Sequence, residues 1–241
     1  MAQEHLTSTD RLAPVVLPDA AVPSVVDWLA DGWATPSFGL RVLKRSMDIV
    51  LSLLALLLAT PLLAIMLVAI MIESPGSPIF LQRRVGRYGT PFALIKLRTM
   101  VPRAEERLHE YLADDAALGE EWGRARKLRQ DPRVTRVGRF LRRFSLDEVP
   151  QLLNVLFGQM SLVGPRPVPA QEGRLFGASW PLVLSVRPGL TGLWAVSGRS
   201  ELSYPERVDL EASYVRTIGL GADLRIIART IPWVLEGRGS Y

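Results

Sequence analysis

The chain contains no cysteine. It therefore has no disulfide, no thiolate zinc site and no cysteine nucleophile, and this composition suits a reducing compartment. Histidine is also scarce, because His5 and His109 are the only two in 241 residues, which argues against a histidine-based metal site. The glycine fingerprints Gly-x-Gly-x-x-Gly and Gly-Lys-Ser/Thr are missing too. Their absence argues against dinucleotide and ATP chemistry.

Apolar and basic residues are abundant instead. Hydrophobic residues make up 48% of the chain, and the formal net charge is +5. An excess of positive charge predicts an anionic partner, which could be acidic lipid, a phosphorylated small molecule or nucleic acid. Charge alone does not choose among these. The length fits one domain with an appendage or two small domains, and we favour one compact unit.

The longest apolar stretch runs from Ile49 to Ile72, 24 residues without a charge. Its length would cross a bilayer core, which needs about 20 helical residues. However, Pro61 removes a helical hydrogen bond near the middle and should kink or break the helix, with Thr60 available to satisfy a freed backbone group. A spanning helix usually has its basic residues at the cytoplasmic end. Here basic residues flank both ends of the apolar stretch: Arg41, Lys44 and Arg45 before it, and Arg83, Arg84 and Arg87 after it. A spanning helix and a re-entrant one, which dips into one leaflet and returns, both remain open.

The pattern of the whole chain predicts an α+β fold that is mostly helical. Residues 1–40 contain four prolines and no sustained period, which indicates a loosely ordered extension without the features of a secretory signal. A membrane helix over 41–73 and a single domain over 74–241 follow. Within that domain we expect strands at 78–85 and 91–98 joined as a hairpin, and helices at 102–130 and 137–143. A further helix should begin near Asp147, and two amphipathic helices should occupy 204–236, separated by a break at 219–221.

Asp147 and Glu148 are adjacent carboxylates with two competing interpretations. Ser145 and Glu148 have the spacing of a capping box, which predicts a helix start and accounts for both acids without any chemistry. Alternatively, ionised carboxylates beside phosphates can hold Mg²⁺, one can attack phosphorus, and the other can bind metal or handle a proton. The pair by itself favours the capping interpretation.

Two proline-containing turns should hold arginines rigidly. Arg166 lies between Pro165 and Pro167, and Arg187 precedes Pro188 in a similar turn; a stiffly held guanidinium suits bidentate phosphate binding. Residues 124–143 are also strongly basic: Arg124, Arg126, Lys127, Arg129, Arg133, Arg136, Arg139, Arg142 and Arg143. Most of these nine fit a surface that faces solvent or lipid headgroups, each contributing about 1 kcal/mol near an anionic membrane. Arg133 and Arg142 are the candidates for a site.

Taken together, these segments resemble the bacterial sugar transferase family, the monotopic phosphoglycosyl transferases that begin capsule and exopolysaccharide assembly. The resemblance covers about residues 41–236. The motifs that carry it are Lys44-Arg45-x-x-Asp48, Gln82-x-Arg84-x-Gly86, Pro91-Phe92-x-x-x-Lys96-x-Arg98-Thr99-Met100, Asp131-Pro132-Arg133-x-Thr135-x-x-Gly138, Leu141-Arg142-x-x-Ser145-Leu146-Asp147-Glu148-x-Pro150-Gln151-Leu152-x-Asn154-Val155, Ser161 to Pro167 and Arg187 to Gly192.

The resemblance implies a re-entrant helix broken at Thr60-Pro61 and a catalytic domain on the cytoplasmic face of the bacterial inner membrane. It also implies a ping-pong reaction. Asp147 would attack the β-phosphate of a UDP-sugar and expel UMP, and undecaprenyl or another polyprenyl phosphate would then take the hexose phosphate from the aspartyl intermediate. Glu148 would assist, and both carboxylates would hold a required Mg²⁺.

The same resemblance assigns phosphate or nucleotide contacts to six basic residues: Lys96, Arg98, Arg133, Arg142, Arg166 and Arg187. The partners it implies are the UDP-sugar, the polyprenyl phosphate and membrane lipid; it allows a homodimer and predicts no nucleic-acid partner. Many members carry an aromatic stretch rich in Asn and Trp before the last helix, where this chain has residues 217–221, Thr-Ile-Gly-Leu-Gly. This departure weakens any prediction of the sugar.

Two other classes of function compete with this interpretation. A non-catalytic, membrane-anchored scaffold would use its basic face to bind anionic lipid or nucleic acid, and its binding would fall steeply with salt. A glycosyltransferase of the soluble type would move the sugar without its phosphate and release UDP instead of UMP.

Overall fold

The computed structural model describes residues 37–114, 118–120, 122, 128, 130–199 and 202–237. Of the predicted extension over 1–40, residues 1–36 lie outside this range. Much of the helix predicted over 102–130, and the basic residues at 124, 126, 127 and 129, also lie outside it.

The first described element is a long apolar helix, α1, over Phe38–Glu73. Ser37 caps its start, where the hydroxyl accepts a hydrogen bond from the Leu40 backbone N–H at 3.3 Å. Among the described residues, α1 is the helix long and apolar enough to cross a membrane. Helical structure continues through Pro61, so the predicted break does not appear as a gap in the helix.

Both ends of α1 pack against the rest of the protein, whereas its middle does not. Asp48 and Ser52 are buried near the first end, and Met66 and Ile70 near the second. Residues 53–65 between them are exposed or only half-buried. The second end packs into a hydrophobic cluster that includes Leu97 and Leu141.

A β-hairpin follows α1, as the sequence predicts. Strands β1, Ile79–Val85, and β2, Pro91–Leu97, pair antiparallel, with Ile79 opposite Leu97 and Val85 opposite Pro91. Tyr88 turns the chain between them with a positive φ of 57°. On β2, Phe92, Leu94 and Leu97 are buried. Packing of these side chains fixes the position of β2, and with it that of Lys96 near the end of the strand.

The remaining described helices are short except at the C-terminus: α2, Ala104–Asp114; α3, Arg136–Arg143; α4, Gln151–Leu156; α5, Trp180–Leu184; α6, Tyr204–Arg216; and α7, Leu220–Glu236. The helix predicted over 137–143 and the two C-terminal helices with a break between them are therefore confirmed. The helix predicted to begin near Asp147 begins at Gln151. The coarse fold class, mostly helical with a small hairpin, is also confirmed.

A second, two-stranded sheet brings the two proline-containing turns together. Strands β3, Ser161–Val163, and β4, Gly189–Thr191, are parallel and place Ser161 opposite Gly189. The backbone just after β3 approaches β4 so closely that a Cβ on Gly189 would lie 2.1 Å from the Gly164 nitrogen. Only glycine fits there, so the turns that carry Arg166 and Arg187 form one packed unit.

A buried ion pair fastens the start of α1 to the start of α7. Lys44 Nζ lies 2.5 Å from Asp223 Oδ2, and Asp223 is fully buried. The Tyr214 hydroxyl donates to Asp223 Oδ1 at 2.8 Å. The carboxylate is thus the shared acceptor for an ammonium and a phenol.

Replacing Asp223 with Ala should lower the free energy of unfolding by about 3 kcal/mol, because the Lys44 ammonium would remain in a buried site without its carboxylate partner. Chemical unfolding of the detergent-purified protein measures this. Asp209→Ala, which removes an exposed acid from α6, should change stability by about 0.5 kcal/mol or less. Equal stabilities of the two variants would contradict the role given to the ion pair.

Candidate active site

The two adjacent carboxylates lie in a tight turn between α3 and α4. Asp147 and Glu148 belong to a single 3₁₀ turn, Leu146–Glu148. The predicted capping box is wrong: Ser145 adopts a left-handed conformation, with φ 55°, and its side chain caps nothing. The reason is that the chain must reverse sharply after Arg142, whose carbonyl accepts the Ser145 N–H at 3.1 Å. Neighbours in a 3₁₀ turn project about 120° apart, so the two carboxylates meet different surroundings.

Helix α3 is pressed onto the chain after β2, and this contact places Arg142. A Cβ on Gly138 would lie 2.0 Å from the Thr99 carbonyl oxygen, so only glycine allows the approach. One turn later, Arg142 Nε donates to Thr99 Oγ1 at 2.9 Å. The guanidinium is largely buried, and the strongest charge acting on it is that of Asp147. The predicted site residue Arg142 is therefore near enough to Asp147 for the two charges to act on each other.

Glu148 is held in its ionised form. Its Oε1 accepts a hydrogen bond from Lys96 Nζ at 2.8 Å and lies 3.6 Å from Arg166 Nη2. Burial opposes ionisation, but Lys96 and Arg166 outweigh it and lower the pKa of Glu148 to about 2. Lys96 and Arg166, two of the predicted phosphate-binding residues, thus meet at one carboxylate.

Asp147 has the opposite balance. It is buried, with 8% of its surface exposed. Burial first, and then the neighbouring charge of Glu148, raise the pKa of Asp147, although Lys96 and Arg142 act against them. The ionised Asp147 carboxylate is therefore poorly solvated and held at raised free energy. Two adjacent carboxylates whose pKa values are pushed apart can take different chemical roles.

A buried acid on α6, Glu211, holds the backbone of the loop that carries Arg166. Glu211, on α6, has 1% of its surface exposed, and its Oε1 accepts the Arg166 backbone N–H at 3.0 Å. The Arg166 guanidinium lies over the ring of Trp194, 5.3 Å from its centroid. Backbone and side chain are both held, so the guanidinium reaches Glu148 from a defined position.

The other three predicted basic residues are placed elsewhere. Arg98 donates to the backbone carbonyls of Ser74 and Pro75, just beyond the end of α1. Arg133 is buried and grips Asp131 with two nitrogens, Nε at 2.8 Å and Nη2 at 2.6 Å. Arg187 Nε donates to the Gly158 carbonyl at 2.7 Å. The structure brings none of the three into contact with Asp147 or Glu148.

Sequence reasoning missed two arginines that act on the site. Arg199 has a positive φ of 51°, and Glu148 is the strongest charge acting on its guanidinium. Arg84, on β1, is largely buried; burial and then Arg166 lower its pKa to about 10, and Glu148 acts on it in the opposite direction. The Gln82-x-Arg84-x-Gly86 motif, one of those that carry the family resemblance, was a signal for Arg84, whereas Arg199 had none.

The carboxylate pair has a donor set that suits Mg²⁺. This ion is typically held by one or two carboxylates together with substrate phosphate oxygens and water. Burial first, and then repulsion by Glu148, raise the pKa of Asp147, and a bound dication would relieve that repulsion. Within the described residues there is no cluster of three or more acidic, histidine or cysteine side chains for a metal held by protein alone. A shared site, completed by a phosphorylated substrate, fits these residues.

Glu211 should make stability depend on pH near neutrality. Burial raises its pKa from 4.5 to about 7, although Arg166 and Arg207 oppose this. Between these values the folded protein binds more protons than the unfolded chain, so stability falls as pH rises, by about 3 kcal/mol in total. Glu211→Gln should remove this part of the pH dependence, as measured by unfolding free energies at pH 5 and pH 8. If Glu211→Gln and the wild type showed the same change in unfolding free energy between pH 5 and pH 8, titration of a buried Glu211 in this range would be contradicted.

Comparison with known proteins agrees with this geometry. The exopolysaccharide production protein ExoY of Sinorhizobium fredii is 45% identical over 198 residues, which cover 82% of this chain and 88% of that protein. The undecaprenyl-phosphate galactose phosphotransferase of Salmonella typhimurium is 43% identical over 201 residues, 83% of this chain and 42% of that protein. The UDP-glucose:undecaprenyl-phosphate glucose-1-phosphate transferase of Caulobacter vibrioides is 39% identical over 221 residues, 88% and 77% of the two chains.

The family model described as bacterial sugar transferase matches residues 39–237. That range takes in α1, the hairpin, the turn of Asp147 and Glu148 and both proline-containing turns. Most of the chain is therefore covered by the match, and the chain belongs to the bacterial sugar transferase family.

Proposed function

We propose that the protein transfers a hexose 1-phosphate from a UDP-sugar to undecaprenyl or another polyprenyl phosphate, which begins the assembly of a polysaccharide. Its relatives are named as enzymes of this reaction or as exopolysaccharide production proteins. The observation that carries the proposal is the pair of carboxylates with opposed pKa shifts, Asp147 raised and Glu148 lowered, surrounded by Lys96, Arg142 and Arg166.

In the first half-reaction the Asp147 carboxylate acts as the nucleophile. One of its oxygens forms a bond to the β-phosphorus of the UDP-sugar, and the bond from that phosphorus to the bridging oxygen breaks. UMP leaves with the bridging oxygen and its electron pair. The poorly solvated carboxylate needs little desolvation before it attacks, which favours this role.

In the second half-reaction a phosphate oxygen of the polyprenyl phosphate attacks the same phosphorus. The bond from Asp147 to phosphorus breaks, and the carboxylate is regenerated as the polyprenyl-diphosphate sugar leaves. Phosphoryl transfer depends mainly on positioning and on neutralising charge. Lys96, Arg142 and Arg166 supply positive charge beside the carboxylate pair, which would neutralise phosphate oxygens bound there.

Asp147 and Glu148 are also the residues that would hold Mg²⁺, which would neutralise phosphate charge when bound. Glu148 remains ionised at all physiological pH values because of its lowered pKa, so it can serve as a permanent anionic ligand or hold Lys96 in place. Relatives act on glucose and on galactose according to their names, so the hexose itself is not assigned.

The same proposal includes a re-entrant α1 with the catalytic domain on the cytoplasmic face of the inner membrane. Asp48 and Ile70 are both buried against one domain, yet a straight helix would separate them by about 33 Å. A bend near Pro61 would shorten that distance. Thr60 Oγ1 donates to the Leu56 carbonyl at 2.7 Å, a type of bond that often bends helices. Each arm, about 12 residues and 18 Å long, would then match the depth of one leaflet.

Because the chain has no cysteine, single cysteines can test this topology. Ser37 and Ser77 are exposed and lie just outside the two ends of α1. We expect Ser37→Cys and Ser77→Cys both to react with a membrane-impermeant maleimide in inside-out vesicles and neither in right-side-out vesicles. Labelling from opposite sides would show a spanning helix instead.

The reaction itself is tested by product analysis. Detergent-purified protein is given a panel of UDP-sugars with undecaprenyl phosphate and Mg²⁺, and the released nucleotide is identified. We expect UMP, released over many turnovers only when all three components are present, limited to about one equivalent per enzyme without undecaprenyl phosphate, and abolished by a chelator. Release of UDP would mean that a different bond is broken and would overturn the proposal.

A further inference from the structure

A second cluster of arginines lies near the N-terminal end of α1, which we call the base of this helix. The cluster consists of Arg45 on α1, Arg87 in the hairpin turn and Arg187 before β4. Burial lowers the pKa of Arg187, and the charges of Arg87 and Arg45, the strongest that act on it, lower that pKa further. Arg45 and Arg187 both donate to the chain at the C-terminal end of α4, Arg45 to the Leu156 carbonyl and Arg187 to the Gly158 carbonyl. The cluster does not include the residues around Asp147.

Little negative charge balances these three guanidiniums. Asp48 is the carboxylate that acts on Arg187 most strongly, but its Oδ1 already accepts hydrogen bonds from Ser161 Oγ at 3.1 Å and the Leu162 N–H at 2.9 Å. Three half-buried guanidiniums and one carboxylate, which already accepts two hydrogen bonds, give the cluster a net positive charge. Like charges held together in this way favour binding of an anion.

The cluster also has donors to spare. Arg187 uses Nε alone, so its two terminal nitrogens have no hydrogen-bond partner within the described part of the chain. Arg87 donates through Nε to the Ser185 carbonyl at 3.1 Å and through Nη2 to the Tyr88 hydroxyl, and its guanidinium lies 4.3 Å from the Tyr88 ring centroid. Terminal guanidinium nitrogens in this arrangement suit the several oxygens of a phosphate group.

The position along α1 indicates where that phosphate would come from. Arg45 precedes Pro61 by 16 residues, which is about 24 Å of helix. If the helix turns back at Pro61, this exceeds the hydrocarbon depth of one leaflet, about 15 Å, by roughly the thickness of the headgroup layer. Arg45 and its two neighbours then lie at the level of lipid phosphates.

We propose that Arg45, Arg87 and Arg187 form a binding site for the phosphate group of a membrane lipid, separate from the carboxylate pair. The lipid is either an anionic phospholipid or a polyprenyl phosphate, which share this chemistry. The site requires that α1 lies in the membrane and does not depend on the transfer reaction. It would anchor the base of α1 and the proline-containing turn of Arg187 against the bilayer surface.

The test is equilibrium binding of radiolabelled phosphatidylglycerol, phosphatidylcholine and undecaprenyl phosphate to the full-length protein in detergent micelles. It is run at 0.5 M salt, where the screening length is about 4 Å and diffuse attraction is suppressed. We expect phosphatidylglycerol or undecaprenyl phosphate to bind more tightly than phosphatidylcholine, and the tighter of the two identifies the source of the phosphate.

Arg187→Gln and Arg87→Gln should each weaken that binding about tenfold, the effect of one lost charge-assisted hydrogen bond. Arg41→Gln is the matched control, since it removes an exposed positive charge from the same helix and should change binding less than about twofold at this salt. Arg87 lies in a half-exposed turn, so its variant keeps the test valid if Arg187→Gln does not fold. Equal binding of all three lipids, or equal binding by the variants and the wild type, would overturn the proposal. Because the measurement is binding and not turnover, failure of the transfer reaction would not affect it.

Discussion

Asp147→Asn should lower the rate of sugar-phosphate transfer by at least about 10³-fold, because an amide cannot form the bond to phosphorus on which both half-reactions depend. The substitution keeps the size of the side chain and removes a carboxylate that is costly to bury, so the protein should fold at least as well as the wild type. UMP release under saturating substrates measures the effect.

Asp209→Asn is the matched control for that variant. Asp209 lies on α6, is exposed and has no part in the site, so its change to Asn should leave the rate within about twofold of wild type, as is usual for surface substitutions. If Asp147→Asn retained a tenth or more of the wild-type rate, the nucleophile would have to be another residue. Glu148→Gln would then be the next variant to measure.

Lys96→Met should lower the transfer rate by about 10² to 10³-fold, the loss usually seen when one preorganised charge is removed from the site of a developing anion. Lys96 is the residue that acts on both carboxylates: it bonds to Glu148 and opposes the raised pKa of Asp147. Without it, the pKa of Glu148 should rise and that of Asp147 should rise further. The pH at which activity is half-maximal should therefore move upward together with the fall in rate.

Arg103→Gln removes one positive charge without touching the site and is the control for Lys96→Met. The Arg103 side chain is 79% exposed and lies 3.7 Å from Glu106. We expect its activity and pH profile to match those of the wild type. A profile of Lys96→Met that fell in height without shifting would contradict the electrostatic role given to Lys96.

The sequence predicted the elements best where a local pattern determines them. The hairpin follows from two short apolar runs around Gly86 and Gly89, and α7 follows from its amphipathic period. The start of α4 could not be predicted, because Ser145 and Glu148 have capping-box spacing but Glu148 is drawn away to Lys96, which lies 52 residues earlier in the chain. A long-range ion pair of this kind leaves no mark on local spacing.

The site was predicted through motifs more than through physics. Lys96, Arg142 and Arg166 were named because they match a family pattern, and the charges of all three act on the carboxylate pair. Arg98 and Arg133 match the same pattern but contact backbone carbonyls and Asp131, so a motif does not separate an arginine beside the carboxylate pair from one that holds a loop. Nor could the sequence show that Asp147 and Glu148, side by side, have opposed pKa shifts. That difference arises because burial and the charge of Glu148 dominate at Asp147, whereas Lys96 and Arg166 dominate at Glu148.

Isotope exchange between labelled UMP and the UDP-sugar, without any polyprenyl phosphate, tests the central claim most directly. An aspartyl intermediate makes the first half-reaction reversible by itself, so we predict that label enters the UDP-sugar when the wild-type protein is present with Mg²⁺ and that Asp147→Asn abolishes the exchange. If the complete reaction runs but no exchange occurs until the lipid acceptor is added, transfer proceeds without the aspartyl intermediate, and the role assigned to Asp147 is wrong.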